Sequence, residues 1–415
     1  MKSWKWVVFG AFLASAAFVA VGLQRTVAAQ KGEGAGSDAY EAVPNWPQPV
    51  HPDGSLTWGR IGAVYAESPN RIYLFQTGEV PPGWLNEKDP DAPNFPRRGS
   101  QSASRCEAGG PSKAAGDVEP ACYKGKPIPG SRWEHIVMVV DGNGKLIESW
   151  EQHNNMFGHP HGININPYDP ERHVWLTDDA KEQIFKFTHD GKKLVMTVGD
   201  YREGGREAHT KGLHKGNDEG HLGGPNGMAF LPNGDFWVSD GYVNSRVVKF
   251  SKDGKFLMQI GGKKGGKPGE FNTTHSVEVL PDGRIFVGDR GNYRIQIFDK
   301  DGKYLQEIHA VYPNALALSK DGRFLYVAQG GPNAASEIRR YTVDGVLVSS
   351  FGRPYGTNPG QLWGVHDFSR DSDGNMYFSQ SWGGGAWKYR PKKGADPTFL
   401  FSAFAKTSLQ SSKSH

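Results

Sequence analysis

Between Trp58 and Tyr389 the chain is written in short apolar runs that alternate with polar positions and end at tight turns. One stretch reads Gly227-Met228-Ala229-Phe230, then Pro232-Asn233-Gly234, then Phe236 to Asp240, then Ser245 to Phe250. The next reads Ser276 to Val279, Pro281-Asp282-Gly283, Arg284 to Asp289 and Tyr293 to Phe298. Alternation of this kind predicts half-buried strands, and Asn-Gly or Asp-Gly supplies the positive φ that short hairpins require. Nowhere is there a long helical periodicity, so the fold class is all-β. Four strands per unit at a period of roughly 40 to 50 residues is the pattern of a β-propeller.

Six units can be counted. The first runs from about Trp58 to Trp150 and is interrupted by a long insertion; the others begin near Pro160, Pro225, Thr274, Pro313 and Val365. After Ala386-Trp387-Lys388-Tyr389 no further Asp-Gly hairpin follows, so the last unit is one strand short. A strand from Val43 to Leu56 is expected to complete it and close the ring, leaving no open edge. The organisation expected is a signal peptide over 1–29, a lead-in with the ring-closing strand over 30–56, a propeller over 57–391 with insertions at 80–132 and 200–222, and a tail over 392–415.

Composition adds an address rather than a fold. Met1 to Lys5 is a basic leader, Trp6 to Leu23 is apolar, and Val27-Ala28-Ala29 offers small residues for cleavage, which together describe an export signal. The expected location is extracytoplasmic, periplasmic or secreted; the apolar run is also long enough to remain as a membrane anchor. Residues Gln30 to Asp38 read as a flexible lead-in. Cys106 and Cys122 are the only cysteines, both within the first insertion, and an oxidising compartment permits them to pair. Net charge is only +4, with Lys and Arg scattered, so no basic stripe marks a nucleic-acid surface. The expected partner is a small-molecule or peptide substrate, and the protein is expected to be a monomer.

The chemistry lies in the register of the repeats. Their openings are Pro160-His161-Gly162, Pro225-Asn226-Gly227, Thr274-His275-Ser276, Pro313-Asn314-Ala315 and Val365-His366-Asp367, so the second position alternates His, Asn, His, Asn, His. Alternate blades of a six-bladed ring stand about 120° apart, so three imidazoles converge on the axis, as a catalytic zinc with one open position requires. A second feature is the insertion from Asp200 to Leu222, carrying Arg202, Arg206, His209, Lys211, His214, Lys215 and His221. It reads either as a solvated rim loop or as a flap over the active face. His153 and His159, just before His161, read either as loop residues or as supports of the site.

These motifs, with Val238-Ser239-Asp240-Gly241-Tyr242-Val243-Asn244-Ser245-Arg246 and Asp289-Arg290-Gly291-Asn292-Tyr293-Arg294-Ile295, resemble the NHL-type six-bladed propeller of peptidyl-α-hydroxyglycine α-amidating lyases. The resemblance covers about Trp58 to Tyr389 without the two insertions. It implies that His161, His275 and His366 ligate zinc, that Tyr242 is the base, and that Arg290 is a second basic residue of the active site. It also implies a structural calcium on the Asp367 carboxylate and the backbone carbonyls of Arg60 and Ile163, oxygen ligands that suit this hard ion. Two positions depart from the family pattern. Thr77 stands where an arginine grips the substrate carboxylate, and Gly364 stands where a methionine precedes the third ligand by two residues. Arg353, Arg132 or a basic residue of the second insertion is the expected substitute for that arginine.

Three functions are compatible with this sequence. One is a zinc lyase that breaks the C–N bond of an α-hydroxyglycine-type amide, releasing glyoxylate and an amide. Another is a zinc enzyme of a different class, such as a hydrolase using the same three ligands. The third is a non-catalytic NHL propeller that binds protein or glycan, for which the histidine alternation is accidental. Lactonase-type propellers match less well, because carboxylate and amide ligands hold their metal.

Overall fold

The computed structural model describes residues 39–86, 88–89, 92–96, 103–106, 118–202, 205–211, 220–331, 336–356, 361–381 and 384–402. The expected signal peptide and lead-in, residues 1–38, lie outside the described residues, as do the side chain of His209, all of His214 and Lys215, and the end of the tail.

The described chain folds into six four-stranded antiparallel sheets. Blade 1 is Ile61–Ser68, Arg71–Gln76, Val137–Val140 and Leu146–Ser149; blade 2 is Pro160–Ile165, Val174–Asp178, Gln183–Phe187 and Leu194–Val198. Blade 3 is Pro225–Phe230, Phe236–Asp240, Arg246–Phe250 and Phe256–Gly261; blade 4 is Thr274–Val279, Ile285–Asp289, Arg294–Phe298 and Tyr304–His309. Blade 5 is Ala315–Leu318, Phe324–Gln329, Glu337–Thr342 and Leu347–Gly352. Blade 6 takes Val365–Arg370, Met376–Gln380 and Ala386–Pro391 from the end of the chain, and its outer strand, Tyr40–Ala42, from the beginning. The innermost strands contact one another in sequence from blade 1 to blade 6 and back to blade 1. The expected all-β propeller is therefore borne out.

What holds the ring is an apolar seam between each pair of sheets. Phe75, Phe157 and Phe185 lie between blades 1 and 2, and Trp175, Phe236 and Val248 between blades 2 and 3. Trp46, Leu74, Met138 and Tyr377 fill the seam between blades 6 and 1. Each seam buries the inward residues of two alternating patterns at once, which is why a strand pattern repeated six times specifies a closed ring rather than an open sheet.

The closing strand differs from expectation. Tyr40 pairs with Pro391 and Ala42 with Tyr389, so it precedes Val43 instead of lying within Val43 to Leu56. Pro44, Pro47, Pro49 and Pro52 in that segment lack the N–H that a ladder needs. The segment instead carries Trp46 into the seam. Arg353, an expected substrate cation, supports this closure: its guanidinium donates to the Tyr40 carbonyl (2.6 Å) and lies over the Phe351 and Tyr389 rings. Within the first insertion, Cys106 and Cys122 are disulfide-bonded, with Cα atoms 5.0 Å apart.

Candidate metal centre

Each of the three histidines sits at a β-bulge. Pairing of the inner strand skips a residue between Pro160 and Gly162, between Thr274 and Ser276, and between Val365 and Asp367. The skipped residue is His161, His275 or His366 in turn. A bulge leaves its extra residue unpaired and re-aims its side chain, here toward the axis. Blade 1 has the same irregularity at Gly62, where a Cβ would lie 2.4 Å from the Pro160 carbonyl oxygen, so no side chain fits. The His rings are buried, with centroids 4.9, 4.6 and 4.8 Å apart, and a nitrogen of each lies within 4.8 Å of the others.

The blades without histidine orient those with it. His275 Nδ1 donates to the Asn314 carbonyl and His366 Nδ1 to the Gly62 carbonyl, both at 2.6 Å. Carbonyls only accept, so Nδ1 carries the proton and Nε2 the lone pair in both rings, facing Arg60 at His366 and the Tyr242 hydroxyl at His275. Burial, followed by the neighbouring imidazoles, holds the His161 pKa well below its ordinary value. For His275 and His366 burial again comes first, and Arg290 and Arg60 add to it. Neutral imidazoles with converging lone pairs form a donor set for a cation. The Tyr242 hydroxyl lies 3.1 Å from His161 Nε2 and 3.2 Å from His275 Nε2, so it meets two of the three rings on their axial side. These residues fit a bound metal ion.

Three guanidiniums lie over this cluster. Arg60 donates to His366 Nε2 (3.1 Å) and to His159 Nε2 (2.8 Å). His159 Nδ1 contacts Asp179 Oδ1 at 2.6 Å, and the other oxygen of Asp179 pairs with Arg206. Arg206 stands 4.8 Å from the Tyr242 ring centroid and Arg290 5.3 Å from it, so the tyrosine is held between two cations. Arg290 also lies against Tyr312 and donates weakly to Asn314 Oδ1 (3.4 Å). Burial alone pushes the Asp179 carboxyl up, but Arg206 and His159 hold it below the usual carboxylate range. Burial lowers the Arg206 pKa and Asp179 raises it, with a net upward shift. Next to it, Asp178 is pushed up by burial and by the Asp179 charge while it caps the Gly158 and His159 amides.

Several expectations change here. Arg60 was expected to offer its carbonyl to calcium; that carbonyl accepts the Thr77 amide (2.9 Å), which leaves its second lone pair for a cation, and the guanidinium of the same residue reaches the histidines. Thr77 carries no charge, and the Arg60 guanidinium reaches the cluster beside it; Thr77 is buried and its hydroxyl accepts the Arg60 amide (3.1 Å). Arg132 pairs with Glu134 at 2.8 Å instead of entering the site. The second insertion does contribute, through Arg206 on the short helix Gly205–Thr210, whereas His221 lies 3.7 Å from Asp200. Of the two flanking histidines His159 contacts the cluster through Arg60, and His153 Nε2 donates to the Gly191 carbonyl (2.8 Å) beside Phe187. Gly364 has φ +64°, a left-handed conformation that favours glycine over methionine just ahead of His366. Asp367 and Ile163 line, with the three histidines, an axial cavity of about 30 Å³, room for one small ion or water.

Fold and site together define a β-propeller with three histidines converging in its axial channel. The NHL repeat family model matches residues 222–250 and 271–298, which fall in blades 3 and 4. Over 277 residues the chain is 30% identical to peptidyl-glycine alpha-amidating monooxygenase B of Xenopus laevis, covering 63% of this chain and 29% of that one. It is 29% identical over 281 residues to peptidyl-alpha-hydroxyglycine alpha-amidating lyase 1 of Drosophila melanogaster, covering 62% and 48%. It is also 30% identical over 213 residues to human NHL repeat-containing protein 3, covering 48% and 57%. The resemblance read from the motifs is thus borne out. The chain spans between about a quarter and a little over half of the length of these relatives.

Proposed function

We propose that the protein is an extracytoplasmic, zinc-dependent carbon–nitrogen lyase acting on an α-hydroxyglycine-type amide. The observation that carries this reading is the convergence of His161, His275, His366 and the Tyr242 hydroxyl beneath Arg60, Arg206 and Arg290. It supplies a metal site, a proton acceptor and an anion site within one buried space. Relatives named as amidating lyases support the same chemistry. Three neutral nitrogen donors suit zinc, which when bound would act as a Lewis acid toward the substrate hydroxyl.

The protein's own residues account for the remaining steps. His366 Nε2 has one lone pair, so a cation held there would compete with Arg60 for it and would leave a guanidinium N–H for the substrate carboxylate. Arg206 and Arg290 add positive charge in a space from which bulk water is largely excluded, where such charge acts strongly. Tyr242 takes the proton of the substrate hydroxyl and passes it to the departing nitrogen, with Arg206 and Arg290 standing against its ring. The C–O bond becomes a carbonyl as the C–N bond breaks. Its electron pair goes to nitrogen, which takes up a proton, leaving glyoxylate and a primary amide with no net redox change. Asp367 and the carbonyls of Ile163 and Arg60 are proposed to hold a structural calcium, Asp367 and Ile163 lying on the same axial cavity. The disulfide fits an exported protein, with residues 1–29 as its signal.

The test is to reconstitute the mature chain with zinc and to assay glyoxylate release from an α-hydroxyhippurate-type substrate, with His275→Ala as the control. Zinc binding with no glyoxylate would redirect the site to another zinc chemistry. Absence of zinc after reconstitution would leave a binding module.

A further inference from the structure

Away from the axis a second group of metal-ligating side chains comes together. His51 Nε2 and His135 Nδ1 each lie 2.7 Å from Glu79, one at each carboxylate oxygen, and all three ligand atoms lie within 4.8 Å of one another. The two rings stand 6.3 Å apart, edge to face. The Glu79 side chain is only 1% exposed, and its backbone is held on both sides by pairing with Arg132 and with Trp58. Among the described residues no lysine or arginine pairs with this carboxylate. Two imidazoles can satisfy its hydrogen bonds; a proton on His135, whose Nε2 also lies 3.5 Å from Glu151, would balance part of its charge, whereas with both rings neutral that charge stands buried without compensation, a costly state. A divalent cation among the three would satisfy both requirements.

The backbone favours this arrangement. His135 has φ +51°, a left-handed conformation seldom adopted by a non-glycine residue, and holding it there turns the ring toward Glu79. Its carbonyl accepts from the Gln76 side chain (3.1 Å), which ties the same turn to blade 1. His51 comes from the proline-rich segment between the ring-closing strand and blade 1, while Glu79 and His135 stand at the two roots of the first insertion.

We infer that His51, Glu79 and His135 form a second metal site, for a zinc-class divalent ion, that clamps the start of the chain to the base of the first insertion. Two imidazoles and one carboxylate are a borderline donor set suited to such an ion. The part-exposed His51 and His135 leave a coordination position toward solvent. Nothing here depends on the chemistry proposed for the axial histidines. Binding joins segments far apart in sequence only in the folded state, so occupancy raises thermal stability without altering turnover.

The test uses the full mature chain, stripped with chelator, reconstituted with zinc and freed of loosely held metal. His51→Gln is expected to bind one equivalent of zinc fewer than wild type, to lose the zinc-dependent rise in Tm that this site provides, and to keep its glyoxylate release. His135→Asn, in which asparagine tolerates the left-handed backbone, is expected to behave in the same way. His161→Ala is expected to lose a different equivalent, so that the double variant with His51→Gln loses both. Equal zinc content in wild type, His51→Gln and His135→Asn would overturn the assignment and leave a hydrogen-bonded His–Glu–His cluster only.

Discussion

The histidines on the propeller axis and the arginines above them are built in opposite ways. His161, His275 and His366 are one position of a repeat, each pushed inward by the same bulge and set by carbonyls of intervening blades where these are seen. Arg60, His159, Asp179 and Arg206 come from a loop before blade 1, a loop before blade 2, the turn after Asp178 and the second insertion. Those four are linked in a chain of contacts, Arg60 to His159 to Asp179 to Arg206, that no periodicity announces. Repetition brings the three histidines together, and irregular segments supply Arg60 and Arg206, two of the three cations beside them.

If that division is right, damage to each part has a different signature. The largest effect is expected at the ligands: His275→Ala should lose the axial metal and lower glyoxylate release by on the order of 10⁴-fold. Tyr242→Phe should keep the metal and lower kcat by on the order of 10² to 10⁴-fold, the usual worth of a positioned proton acceptor. Arg60→Ala should leave metal content unchanged and reduce kcat/KM by about 30-fold, about 2 kcal/mol, for a substrate bearing a carboxylate. With an analogue lacking that carboxylate the same variant should approach wild type, and an equal loss on both would break the comparison.

Asp179→Asn probes the link between the two arginines. It leaves Arg206 and His159 without their shared anion and is expected to raise KM by about tenfold with little change in kcat. A loss of metal instead would show that the arginine layer and the histidine layer are one structure.

The smallest effect belongs outside both parts. Burial pushes the Glu67 carboxyl up, but His189 and Arg172 of blade 2 hold it below its ordinary value. A carboxyl with a lowered folded-state pKa stabilises the fold above its unfolded pKa, near 4.5, and loses that contribution as pH falls through the folded value. Glu67→Gln should therefore cost about 1 kcal/mol at neutral pH, since its partners are partly exposed, and should flatten the acid limb of Tm against pH without changing turnover.

The same division marks how far the sequence could be read. Alternation and Asp-Gly turns were sufficient for the all-β ring, and the His/Asn alternation for the convergence of three histidines, because both recur at a fixed interval. The ring-closing strand was displaced because Tyr40–Ala42 is too short to show alternation, although the prolines that follow it argue against a strand there. Arg60 was assigned through its carbonyl, since nothing in Gly59-Arg60-Ile61 shows which part of the residue faces the axis. Asp179 left a usable signal. The second strands of blades 3 and 4 end in a single aspartate, Asp240 and Asp289, whereas blade 2 ends in Asp178-Asp179, and the extra carboxylate is the one that organises the arginines. Glu79 and His135 gave none, because they meet only when the two ends of the first insertion are brought side by side.

The most direct measurement is the joint yield of glyoxylate and primary amide from an α-hydroxyglycine amide, followed on the same zinc-loaded sample for wild type and His275→Ala. The two products should form in equal amounts with wild type and should fall together to near background in the variant. Amide without glyoxylate, or the same yield from both proteins, would contradict C–N cleavage at the axial histidines.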